Sequence, residues 1–149
     1  FILSLLDQIA FACASKFSGN YCVTASVDTV NFLKPIEVCE LVTMKASVNY
    51  VGKSSMIIGI RVEAENIQTG VIKHCNSSYF TMVSKDKEGN NARVPGLLLS
   101  NPEDVRRFKD SLKHIALKKQ RDSENNSIDF ESIESILSSN LYNVKVELG

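Results

Sequence analysis

The first 18 residues predict an α-helix that is apolar on almost every side. When the segment is placed on a helical wheel at 100° per residue, its polar side chains fall within one narrow arc, made of Ser4, Asp7, Gln8, Ser15 and Ser18. An ordinary surface helix has a much wider polar face, so other structure must surround this helix. Gly19 and Asn20 follow as a typical helix stop. Any fold for this chain must therefore wrap an opening helix.

Four long segments with strand-like patterns follow the helix, at 23–33, 41–51, 56–66 and 71–84. The second and third alternate apolar and polar side chains cleanly. In the first, the phase of the apolar positions slips near Thr29 and Val30, as a β-bulge would cause. Short connections favour antiparallel neighbours. The pattern predicts an α+β domain in which a long antiparallel meander wraps around the opening helix.

A second, amphipathic helix is predicted at about 102–119. Asn101 is a good cap residue, Pro102 suits the first helical position, and Glu103 and Asp104 lie at the positive end of the helix dipole. Residues 121–127 are polar and predict a linker, and 128–141 predicts a weak short helix. We therefore expect one domain over 1–120, followed by a linker and tail of unassigned role over 121–149.

Composition and charge exclude several classes of protein. The 17 basic and 17 acidic side chains cancel, so no overall field attracts nucleic acid or an anionic membrane surface. No apolar run approaches the roughly 20 residues that span a bilayer. The four cysteines show no C-x-x-C pair and no zinc-binding spacing. These features predict a reduced, cytoplasmic protein that binds neither nucleic acid nor membranes.

Catalytic candidates are few. The only histidines are His74 and His114, and the chain has no phosphate-binding glycine loop, so nucleophile–histidine arrangements and a catalytic metal are poorly supported. Asp7 stands out because it interrupts an apolar helix. One interpretation is a solvated charge that favours the helix N-terminus. The other is a carboxylate in a partly apolar crevice that hydrogen-bonds a water molecule and acts as a general base.

Other polar positions also allow two interpretations. Asp28, predicted on one face of the first strand with Thr24 and Ser26, is either solvated or a hydrogen-bonded acid. The basic segment 106–121 is either a solvated helix face or an anion-binding patch. Asn31 and Phe32 either line a ligand channel, or Phe32 is an ordinary core residue. The turn at Lys53, Ser54 and Ser55 is either a plain hairpin turn or a phosphate site, since its cation, hydroxyls and backbone N–H groups suit phosphate.

The chain resembles the hotdog-fold acyl-CoA thioesterases, especially the cytosolic acyl-CoA hydrolases and their short bacterial relatives. The resemblance covers about 1–120 and is carried by four ordered segments, ILSLLDQIAFACASK (2–16), VTASVDTVNFLKPIEVCELVT (23–43), VGKSSMIIGIRVEAENIQTG (51–70) and YFTMVSKDKEGNNARVP (79–95). It implies a sheet of five or six strands around the opening helix, including a further strand ahead of Phe1. Cys39-Glu40 departs from the family, in which Gly commonly precedes the acid.

The resemblance also implies a function. It assigns Asp7 as the general base or nucleophile that cleaves an acyl-CoA thioester into fatty acid and CoA, with no cofactor beyond the CoA of the substrate. It places Asn31, Phe32, Lys53, Ser54 and Ser55 along the acyl and CoA sites at a subunit interface. It implies homodimers that often assemble further into hexamers. The alternative is a non-catalytic hotdog module that binds acyl-CoA or a protein partner.

Overall fold

The computed structural model describes residues 2–122 and 144–146. Its elements are α1 (Ile2–Ser18), β1 (Tyr21–Phe32), β2 (Glu40–Val51), β3 (Ser55–Asn66), β4 (Ile72–Lys85), β5 (Leu97–Leu99), α2 (Pro102–Asp122) and β6 (Val144–Val146). The four long strands and both helices lie close to their predicted bounds. The short helix predicted at 128–141 lies outside the described residues.

The four long strands form one antiparallel sheet in the order β1-β4-β3-β2. The two hairpins β2–β3 and β3–β4 are as predicted, but the meander prediction is wrong for β1, which pairs with β4 instead of β2. The N–H groups of Leu33 and Lys34 donate to the carbonyl oxygen of Cys75 at 2.8 and 3.3 Å, so the chain leaving β1 stays bound to β4 before it crosses to the far edge. A periodic pattern identifies a strand but does not identify its partner.

Helix α1 packs on one face of this sheet and contacts all four strands. Its side chains Leu6, Ala10 and Ala14 are fully buried. They meet the alternating apolar face of β3, where the inward side chains Met56, Ile58, Ile60, Val62 and Ala64 are each at most 3% exposed. Small alanines on α1 allow the helix and sheet to approach closely. The prediction of a helix wrapped by a long sheet is confirmed, and the sheet of the described residues has four strands where the resemblance implies five or six.

Helix α2 lies against the opposite face of the sheet. The ring centroids of Tyr79 and His114 are 4.4 Å apart, and the buried Phe108 stacks on Tyr50 with a centroid distance of 5.8 Å. The side-chain Oδ1 of Asn101 accepts a hydrogen bond from the Asp104 N–H at 2.9 Å, which confirms the predicted cap.

A small second sheet was not predicted. Strand β5 pairs in parallel with β6, and β6 lies beyond the domain bounds expected from the sequence. Each strand has three residues, which is too short for an alternating pattern to be visible. Within the described ranges, no helix combines the length and apolar character needed to cross a membrane.

Candidate active site

Asp7 lies on the second turn of α1 and is held by a hydroxyl of the neighbouring strand. Thr24 of β1 donates from Oγ1 to Asp7 Oδ1 at 2.7 Å. The same hydroxyl oxygen lies 3.4 Å from the sulfur of the buried Met82. The described residues offer no hydrogen-bond partner to Asp7 Oδ2, and the side chain is exposed in the single chain. One carboxylate oxygen is thus fixed, while the other is open to a water molecule.

Two β-bulges interrupt β1, and the first of them sets the direction of Thr24 relative to the residues that follow. In the pairing with β4, Thr24 lies opposite Met82 and Ser26 lies opposite Thr81, so Ala25 is an extra residue; a second irregularity between Val27 and Thr29 leaves Asp28 extra. The predicted phase slip is confirmed by this second irregularity, which lies next to the predicted position. The first bulge corrects the sequence prediction that Thr24, Ser26 and Asp28 share one face. Because an extra residue inverts the alternation, Thr24 faces α1 whereas Ser26 and Asp28 face α2.

Asp28 is a hydrogen-bonded acid on the face that α2 covers. Its carboxylate accepts hydrogen bonds from Ser26 at 2.6 Å, Thr81 at 2.5 Å and Lys118 at 3.0 Å. Partial burial pushes the pKa of Asp28 upward, but the hydrogen bonds from Ser26, Thr81 and Lys118 outweigh this effect and hold the pKa below its usual value. Lys118 also donates to Ser26 at 2.9 Å. This cluster faces away from Asp7, and it ties α2 to the bulged part of β1.

The predicted phosphate-binding turn lies at the same end of the sheet as Thr24. Met56 pairs with Met82, which in turn pairs with Thr24, so Ser55 lies two strands away, at roughly 10 Å. The Gly52 N–H donates to the Ser55 carbonyl oxygen at 2.8 Å, which closes the turn. Lys53 is exposed. The structure therefore brings 53–55 and the Asp7–Thr24 pair to one end of the same subunit.

Asn31 and Phe32 lie at the opposite end of β1. Phe32 pairs with Asn76, which lies six residues along β4 from Met82, the partner of Thr24, a separation of roughly 20 Å along a strand. The Phe32 side chain is 64% exposed, so the interpretation of Phe32 as a core residue is wrong. It borders an open apolar cavity of about 470 Å³ that Ile2, Leu33 and Ile36 also line. Within one subunit, this segment does not join Asp7.

Several of the remaining polar candidates make local interactions. Arg106 and Arg107 form ion pairs with Glu103 and with Asp110 or Asp104, so these cations of α2 are neutralised by its own acids. His74 Nε2 lies 3.0 Å from the Asn76 carbonyl oxygen and 2.8 Å from Ser77 Oγ. These contacts give the imidazole local partners on its own strand. No group of three or more metal-binding side chains occurs among the residues that the structure describes.

Comparison with known proteins gives a consistent family. The sequence profile of the Thioesterase superfamily matches residues 1–71. Protein VdlD of Helicobacter pylori is 41% identical over 112 residues, which cover 75% of this chain and 64% of that protein. The uncharacterized acyl-CoA thioester hydrolase YkhA of Bacillus subtilis is 34% identical over 104 residues, which cover 70% of this chain and 60% of that protein. The chain thus spans less than two thirds of the length of both relatives.

Solved structures give the same result for the fold. An apo-hexameric acyl-CoA thioesterase has a TM-score of 0.79 and 28% identity, with 83% of this chain and 80% of that chain covered. An acyl-CoA hydrolase of Staphylococcus aureus, solved with butyryl-CoA and CoA, has a TM-score of 0.76 and 30% identity, with 83% and 75% covered.

That S. aureus hydrolase was also solved with alanine replacing a threonine; this structure has a TM-score of 0.76 and 29% identity, with 83% of this chain and 77% of that chain covered. A further structure has alanine replacing an aspartate, with a TM-score of 0.73 and 30% identity, and 83% of this chain and 78% of that chain covered. With the observed α1 and antiparallel sheet, these matches identify the architecture. The chain belongs to the thioesterase superfamily and has the hotdog fold of the acyl-CoA thioesterases.

Proposed function

We propose that this protein hydrolyses acyl-CoA thioesters and releases a free fatty acid and CoA. The observation that carries the proposal is the Asp7–Thr24 hydrogen bond of 2.7 Å, which orients a carboxylate at the start of the central helix and leaves its second oxygen open. Two of the residues replaced by alanine in the S. aureus hydrolase are an aspartate and a threonine 17 positions apart. Asp7 and Thr24 have the same separation, which supports their correspondence to that pair.

In the reaction, Asp7 Oδ2 accepts a proton from water while the water oxygen attacks the thioester carbonyl carbon. The carbon–sulfur bond then breaks, and the CoA sulfur leaves with the proton that Asp7 accepted, which restores the carboxylate. In the nucleophilic variant, Asp7 itself attacks the carbonyl carbon and the CoA thiolate leaves as the carbon–sulfur bond breaks; water then hydrolyses the resulting mixed anhydride to the fatty acid and free Asp7. In either variant, the Thr24 hydroxyl holds the carboxylate in one orientation. The reaction requires no cofactor.

A homodimer would complete this site. β1 is an edge strand of the sheet, and it exposes Tyr21, Val27 and Phe32 at 64%, 51% and 64%. Long edge strands with exposed apolar side chains are prone to pair with another chain. Antiparallel pairing of two β1 strands about an axis near Val27 would place Phe32 of the partner subunit beside Cys22. Asn31 and Phe32 of each subunit would then lie near the other subunit's Asp7 and Thr24.

We assign CoA binding to the turn at Lys53, Ser54 and Ser55, whose cation and hydroxyls suit phosphate groups. The domain responsible is proposed to span 1–120, and its dimers to assemble further, as in the hexameric neighbour. A cytoplasmic location is supported by the four cysteines, none of which forms a disulfide.

The proposal is tested by incubating the purified protein with acyl-CoAs of increasing chain length and measuring release of free thiol. We expect turnover with at least part of this series. Calorimetric titration of the same acyl-CoAs distinguishes the alternative function. Tight binding of acyl-CoA with no thiol release over the whole series would refute hydrolysis and favour a non-catalytic binding module.

A further inference from the structure

We infer that Asp28 and Lys118 are positioning residues, which hold the bulged part of β1 so that Thr24 faces Asp7. This inference rests on the proposed function, because its effect is on the catalytic carboxylate. It gives the basic second helix a role in catalysis through a contact on the face of the sheet opposite the reaction.

The direction of the Thr24 side chain depends on the bulge at Ala25. Thr24 and Ser26 lie opposite Met82 and Thr81, which are consecutive residues of β4 and therefore face opposite sides of the sheet. In a regular strand, residues two apart face the same side. A loss of the bulge would move every residue on one side of it to the other face, because the side-chain period is two. Thr24 and Ser26 would then face the same side of the sheet. The contact of Thr24 with Asp7 and the contact of Ser26 with α2 could no longer form together.

The bulged segment is fixed by side chains on the α2 face. Both Ser26 and the extra residue Asp28 are bound by Lys118 Nζ, at 2.9 and 3.0 Å. Thr81 of the neighbouring strand binds the other carboxylate oxygen of Asp28 at 2.5 Å. The Asp28 side chain is 12% exposed, whereas that of Lys118 is 47% exposed. A partly desolvated carboxylate with three donors therefore connects β1, β4 and α2 within four residues of Thr24.

A bulge of this kind is a recurrent way to aim a side chain at an active site. The hydrogen bonds of Ser26 and Asp28 hold the segment after Ala25 on the α2 face, and Thr24 faces α1 in this register because Ala25 is the extra residue. The same register gives Thr24 its 2.7 Å contact with Asp7. The cluster and the catalytic pair are thus linked through the backbone of residues 24–28, without a direct side-chain contact.

The experiment is a double-mutant cycle in the full chain, with hydrolysis of an acyl-CoA as the readout. Asp28→Asn and Lys118→Gln are each expected to lower kcat about tenfold, because small displacements of a catalytic group have large effects on rate. KM should change much less. In the Thr24→Val background, Asp28→Asn should lower kcat by less than about twofold, because the group that it positions is already absent. Lys118→Arg keeps a cation and hydrogen-bond donors, so it should retain most of the wild-type kcat that Lys118→Gln loses.

The matched control is Lys119→Gln, which removes the adjacent, exposed cation of α2 and should leave kcat unchanged. Circular dichroism is used to choose an assay temperature at which every variant is folded. If Asp28→Asn does not fold, Lys118→Gln replaces it in the double-mutant cycle. Equal losses of kcat in the wild-type and Thr24→Val backgrounds, or wild-type kcat in Asp28→Asn and Lys118→Gln, would overturn the inference alone. A wild-type chain that hydrolyses no acyl-CoA would overturn the proposed function, and the inference with it.

Discussion

Cys39 is predicted to destabilise the protein through its backbone conformation. It has φ of 70°, in the left-handed region, and it is the only non-glycine residue with positive φ among the described residues. The Glu40 N–H approaches the Glu37 carbonyl oxygen at 3.4 Å, so Cys39 is the third residue of a turn that leads into β2. A β-turn whose third residue has positive φ favours glycine at that residue. The resemblance places glycine there as well. We therefore expect Cys39→Gly to raise the free energy of unfolding.

The magnitude follows from two opposing effects. The left-handed conformation costs a residue with a Cβ atom about 1–2 kcal/mol. Glycine removes this strain but gives the unfolded chain more conformational freedom, which costs about 0.5–1 kcal/mol. The Cys39 side chain is exposed, so little packing is lost. The net stabilisation is about 0.5–1 kcal/mol, which raises Tm by about 2 °C in a domain of this size.

Thermal unfolding followed by circular dichroism measures this change. Cys39→Ala is the matched control, because it removes the thiol but keeps the Cβ atom and the strain. The glycine variant should unfold at higher temperature than both the wild type and the alanine variant. A Tm for Cys39→Gly equal to or below that of Cys39→Ala would show that the left-handed backbone stores no strain.

Three further predictions concern stability. Gly59→Ala should destabilise by about 1–3 kcal/mol, since the new Cβ would overlap Nδ2 of the buried Asn49; urea unfolding should show partial recovery in the double variant with Asn49→Ala. Leu6→Ala should cost about 2–5 kcal/mol, and the exposed Leu3→Ala much less. The lowered pKa of Asp28 stabilises the fold at pH values above about 3.9, the pKa of an aspartate in the unfolded chain. The higher stability of the wild type over Asp28→Asn, measured by urea unfolding, should therefore disappear as pH falls through the pKa of Asp28 in the folded protein. A stability difference that persists in acid would contradict this prediction.

Elements defined by their own burial pattern were predictable from the sequence. The alternation of 56–66 gives β3 and its inward face because every second side chain is buried against α1. The apolar surface of α1 gives its central position for the same reason. The partner of β1 was not predictable, because pairing depends on where the chain crosses after Pro35. The bulge at Ala25 was missed because its effect appears only in the register with β4.

In the candidate site, too, some residues were predictable from the sequence and others were not. Asp7 is visible in the sequence because a carboxylate on an apolar helix is unusual. Thr24 carries no such signal, since a hydroxyl in a strand is common, and only the structure shows its contact with Asp7. Lys118 appears in the sequence as one cation in a basic segment. Its pairing with Asp28 joins residues 90 positions apart, which no local pattern indicates.

The most direct test of the central claim is kcat for acyl-CoA hydrolysis by Asp7→Asn, compared with Glu88→Gln in an exposed loop as the control. Asparagine keeps an acceptor for Thr24 but removes the charge that takes the proton from water. General base catalysis contributes about 10²–10⁴ in rate, so kcat should fall at least about 100-fold with Tm little changed. Full turnover by Asp7→Asn would contradict a catalytic role for this carboxylate.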